Sequence, residues 1–149
     1  LLQGFVETVR PGGLLFVSHR PTLYYVAAAL RRHQPDLAAS VITRTEGPSP
    51  DGQYHNWQTE AQLRQLYGAA QLDILACSTI GSGRLQQDEA QAGGVDVQRF
   101  LETVRNGDGS YRIPAYFLVV AQKYQKSENR RQRSEVRKQR LERQKSDAQ

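Results

Sequence analysis

The chain has 149 residues, enough for one domain of ordinary size, and its 38% hydrophobic content supports a lean core. No apolar run reaches the ~18 residues of a membrane-spanning helix, and a single cysteine, Cys77, excludes an intramolecular disulfide framework. The net charge of +5 is unevenly placed: residues 1–122 carry ten Arg, no Lys and eleven acids, a net −1, whereas residues 123–149 carry ten Lys or Arg and four acids, a net +6. The chain therefore divides into a globular α/β domain, 1–122, and a basic helical extension, 123–149. A neutral globule with a cationic extension implies a polyanionic partner reached through that extension.

In chain order, Leu2 to Val9 reads as a short helix ended by Pro11-Gly12-Gly13. Leu14 to Ser18 is a continuous apolar run, as expected of a parallel strand covered on both faces. A helix follows from Pro21, with Leu23, Val26, Ala27 and Leu30 on one face, and Pro35 ends it. Ser40 to Thr43 is read as a second strand. Arg44 to His55 is a loop rich in Gly, Pro, Ser and Asp. Asn56 is the expected N-cap of a helix from Trp57 to about Ala70, with Glu60 in its first turn. Leu72 to Cys77 is a third strand, Ser78 to Gln87 a polar loop, and Gln87 to Ala92 a short helical turn. Val95 to Val104 is assigned a fourth strand, and Asn106-Gly107-Asp108-Gly109 a turn. From Ala115 the chain reads as helical almost to its end. Alternating strands and helices of this length predict an open, doubly wound parallel sheet of Rossmann or flavodoxin-like type, followed by a long basic C-terminal helix.

The residues offer little for catalysis. Neither G-x-x-x-x-G-K-[ST] nor G-x-G-x-x-G occurs, so Gly81-Ser82-Gly83 reads as a turn rather than a phosphate cradle. His19, His33 and His55 have no metal-ligand spacing. His33, near a helix end, reads as a partner of the helix dipole. Ser18-His19 lacks a nucleophile elbow, and Asp88-Glu89 point apart on a helix. Cys77 reads as a buried thiol, and Tyr54 and Trp57 as packing for a loop. No catalytic residue, metal, cofactor, small-molecule substrate or membrane partner is expected.

Binding is the stronger signal. Tyr116, Phe117, Val120 and Tyr124 fall at helical spacing and should anchor the last helix to the globule. Beyond them Lys126, Arg130, Arg131, Arg133, Arg137, Lys138, Arg140 and Arg143 surround the chain with cations and, with Lys123 just before Tyr124, are expected to contact RNA; Arg outnumbers Lys, which suits forked contacts to phosphate oxygens. No apolar stripe accompanies them, which disfavours a membrane surface. His19 and Arg20 follow the first strand, at the sheet edge where α/β ligands bind. With Arg44 from the adjacent loop, they complete the expected RNA-contact set.

Several pieces, in order, resemble the S-two family of small-subunit ribosomal proteins in its shortened mitochondrial form. Gly13-Leu14-Leu15-Phe16-Val17-Ser18-His19-Arg20 is similar to the family's first strand and basic turn. Asp73-Ile74-Leu75-Ala76 resembles a later strand, Glu89-Ala90 and Gly94-Val95 a helix and the opening of the next strand, and Tyr111-Arg112-Ile113-Pro114 the lead into the terminal helix. The resemblance implies a doubly wound sheet, no catalysis, and a structural place in a mitochondrial small ribosomal subunit, at the head–body junction. Its implied partners are ribosomal RNA and neighbouring ribosomal proteins. A competing resemblance lies in Asp73 to Thr79 followed by Gly81-Ser82-Gly83, which is similar to a segment of the second lobe of superfamily-two helicases. A third reading is an α/β binding module of a larger assembly.

Overall fold

The computed structural model describes residues 2–124. A short helix, α1 (Leu2–Thr8), leads through the Pro11–Gly13 turn into strand β1 (Leu14–His19). Helix α2 (Thr22–Arg31) and helix α3 (Pro35–Thr43) follow, then a small hairpin of β2 (Glu46–Pro48) and β3 (Tyr54–Asn56). Next come α4 (Glu60–Ala69), the long strand β4 (Leu72–Leu85), α5 (Gln87–Gln91), α6 (Gly94–Leu101) with a 3₁₀ turn (Glu102–Val104), and β5 (Tyr111–Lys123).

The main sheet has the order β1-β5-β4, and both pairings are antiparallel. The last strand is thus the central one. This corrects the parallel, doubly wound expectation, and it also corrects the helix expected from Ala115. The sequence of β5 explains why: Tyr111, Ile113, Phe117, Val119 and Ala121 are buried at alternate positions, which is the strand period. Pro114 fits because β1 stops opposite Phe117, so at Pro114 the strand has a ladder only with β4. The residues expected to extend a helix past Tyr124 lie outside the described residues.

Two segments read as strands are helices. Pro35 does not merely end α2; it stands at the first turn of α3, with Asp36 beside it, and Ala38 and Val41 are buried three residues apart. Val95 to Val104 forms α6 and its 3₁₀ turn, with Val97 and Leu101 buried at i, i+4. Conversely, Ser78 to Leu85, read as a loop, continues β4 without a break, pairing Ser78 with Leu118 and Leu85 with Tyr111. The segment resembling a helicase strand and glycine loop is therefore one uninterrupted strand. The loop after Arg44 holds the β2–β3 hairpin, whose turn is closed by the Asp51 carboxylate accepting from the Gln53 N–H at 3.2 Å and from the Ser49 hydroxyl. The N-cap of α4 is Thr59 rather than Asn56: its side chain and that of Gln62 form a reciprocal capping box.

Buried side chains form two clusters on one face of the sheet. In the first, α2, α3, α5 and α6 pack with Trp57 against Leu85, Tyr111 and Ile113. Trp57 is 1% exposed, and its indole N–H is shared between the carbonyls of Val41 (2.9 Å) and Arg44 (2.8 Å). In the second, Val6 of α1 and Leu63 and Tyr67 of α4 cover Leu72, Phe117, Val119 and Ala121. The result is a two-layer arrangement of helices on one side of an antiparallel sheet.

Candidate nucleic-acid interface

Side chains alternate along a strand, so residues not facing the two clusters project from the opposite side of the sheet. The register sets them in cross-strand rows: Leu14 with Gln122 and Asp73; Phe16 with Val120 and Ala76; Ser18 with Leu118 and Ser78; Tyr116 with Ile80; Arg112 with Arg84. Phe16 is 63% exposed, Leu14 49% and Ile80 47%, so no helix among the described residues covers this face. The β4 bulge between Ile74 and Ala76 adds Leu75, also exposed. β1 accordingly alternates exposed and half-buried residues, and is not covered on both faces as its apolar run suggested.

Arg20 follows β1, one residue beyond the pairing of His19 with Phe117. Its guanidinium lies 4.1 Å from the ring centroids of both Tyr24 and Tyr116. Two aromatic faces hold the cation by charge–quadrupole attraction. Among the described residues Arg20 makes no ion pair with a carboxylate. Arg84, in the last row, sits 3.4 Å from Asp108, with both partners largely exposed.

The other expected contacts take different places. His19 is on the cluster side, where its Nε2 is 2.8 Å from the Tyr67 hydroxyl and its ring meets Tyr67 edge-on. Burial holds the His19 pKa below its ordinary value and pushes Tyr67 up to about 12. Lys123 ends β5, and its Nζ donates to the carbonyls of Val6 (2.7 Å) and Val9 (2.8 Å), satisfying the C-terminal end of α1. Arg44 is exposed at the end of α3, where its carbonyl accepts from Trp57. Of the expected described contacts, only Arg20 belongs to the open face. Lys126, Arg130, Arg131, Arg133, Arg137, Lys138, Arg140 and Arg143 lie outside the described residues.

A cleft of about 440 Å³ is lined by Leu23, Glu60, Thr79, Phe117, Arg105 and Arg112 among others. Two of its charged groups already have partners: Glu60 is 2.6 Å from Arg64, and Arg105 is 3.2 Å from Glu102. Cys77 is half-buried, and burial pushes its thiol pKa up, which favours the unreactive protonated form. Among the described residues no group of three or more His, Cys, Asp or Glu is placed to hold a metal ion, and no helix is long and apolar enough to cross a membrane.

Sequence reading missed Phe16, Ile80 and Arg112 as surface groups, and took Tyr116 for a helix anchor. The useful signal was the period of two in β5, from which its alternate outward positions follow. No protein-family model matches the chain, and no curated protein matches it.

Proposed function

We propose that this chain binds RNA as a non-catalytic component of a ribonucleoprotein. The observation that carries the reading is the charge partition: a net +6 is confined to residues 123–149, against −1 in the rest. Such a segment neutralises phosphates and releases their counterions, a sequence-independent source of affinity. In the chain the extension follows directly on the central strand β5, which carries Tyr116, Leu118 and Val120 on the open face.

A place in a ribosomal subunit, with ribosomal RNA and neighbouring ribosomal proteins as partners, belongs to this proposal only through the motif resemblance. The parallel sheet which that resemblance implied is replaced by an antiparallel one, so charge carries the RNA reading and the resemblance adds no weight to it.

The test is affinity of the full chain for structured and single-stranded RNA across a salt series. The expected result is a log–log slope of several units, since each phosphate contact contributes about one. Absence of binding at low salt overturns the proposal.

A further inference from the structure

We propose that the open face of the β1-β5-β4 sheet is the seat of a single RNA strand, with Phe16 stacking on a base and Arg20 held ready for the backbone. This inference rests on the RNA-binding reading and names the surface that would add base contacts to phosphate attraction.

The face is apolar where bases would lie and cationic beside it. Phe16 stands on the edge strand β1, at the end of a row that runs through Val120 to Ala76, and it is largely exposed to solvent. An exposed aromatic ring on a flat strand surface is a stacking platform for any base, since every base has a π-face. Ile80, opposite Tyr116, extends the apolar surface along the strands. Four residues along β5 from Val120 is about 13 Å at the usual strand rise, so the Tyr116 row lies well within reach of a strand crossing Phe16.

Arg20 is the second, independent observation. A surface arginine usually samples many rotamers or pairs with a carboxylate. Here two tyrosine rings fix the guanidinium, and no carboxylate among the described residues neutralises it. Clamping of this kind lowers the entropy lost when the fork meets a phosphate. Arg112 lies two rows beyond Tyr116 on the same face, four residues along β5.

The competing occupants fit less well. Residues 125–149 have only two large aliphatic side chains, Val136 and Leu141, too few to cover Phe16, Leu14, Leu75 and Ile80. A second copy of the chain would bring two equally basic extensions to one assembly, +6 each.

The experiment measures binding of the full chain to a fluorescently labelled oligouridylate and to an RNA duplex of equal length, with sedimentation run in parallel. The variants are Phe16→Leu, Arg20→Gln and Arg20→Lys. Phe16→Leu keeps apolar bulk at an exposed site, so the fold survives. It should weaken oligouridylate binding about ten-fold, leaving duplex binding and the salt slope unchanged. Arg20→Gln should lower the slope by about one unit, and Arg20→Lys should restore the slope but not the full affinity. If the wild-type chain binds RNA and all three variants bind as it does, the face is not the seat, while the RNA reading stands on the extension alone. If the wild-type chain binds no RNA, both fail. A concentration-dependent dimer abolished by Phe16→Leu would assign the face to contact between copies and overturn the inference.

Discussion

His19 and Arg20 are neighbours in sequence with opposite surroundings, because one step along a strand reverses the face. Arg20 meets solvent and two tyrosines; His19 meets Tyr67 beneath the helices. The burial of His19 has a measurable consequence. Its folded pKa is held below 6.5, so the fold favours the neutral ring. Well above pH 6.5 the ring is neutral in both folded and unfolded chains, and stability is fully present. As pH falls from there toward the depressed folded value, the unfolded chain takes up its proton first and stability declines. Urea unfolding midpoints between pH 8 and pH 5 should show this fall, and His19→Asn should flatten it. An equal slope in the variant would remove His19 from the account. The position of His19 and Arg20 after the first strand was legible in the sequence. Their division between faces was not, because an unbroken apolar run such as Leu14 to Val17 gives no sign of which side is covered.

At the scale of elements, the errors of sequence reading have local causes. Val41 and Ile42 are β-branched and mimic a strand, yet Pro35 at a first turn and the spacing of Ala38 and Val41 made α3 the better assignment. Asn56 was a plausible cap, but Thr59 has Gln62 at the position that closes a capping box, and Asn56 is engaged in the β2–β3 ladder. The box satisfies two otherwise unpaired N–H groups at the start of α4, the helix that supplies Leu63 and Tyr67 to the second cluster. Thr59→Ala should therefore lower stability by about 1 kcal/mol, read from denaturant unfolding. No measurable loss would mean that packing alone holds the start of α4. The continuation of β4 through Ser78 to Arg84 was hidden for a different reason. Its residues are nearly all exposed, so they carry no alternation of apolar and polar, and pairing with β5 holds them extended.

For the whole molecule, the helices α1, α2 and α4 and the Asn106–Gly109 turn were legible in the sequence, and the charge partition is read from it directly. Sheet direction was not plain, because it depends on long-range pairing between β5 and strands about 30 to 100 residues earlier. Mistaking two helices for strands, and the central strand for a helix, left an alternating order that mimics a parallel fold. Among the described residues both clusters are built from residues before Lys123, so the domain is expected to fold without Lys126 to Gln149. The most direct measurement compares the full chain with a chain lacking Lys126 to Gln149, by RNA affinity across a salt series, after melting has shown that both fold. The truncated chain should keep its melting transition, lose most of its affinity at low salt and show a much flatter slope, because its remaining charge is close to zero. Equal affinity with an equal slope in the truncated chain would contradict the account, since the cationic extension would then contribute nothing to binding.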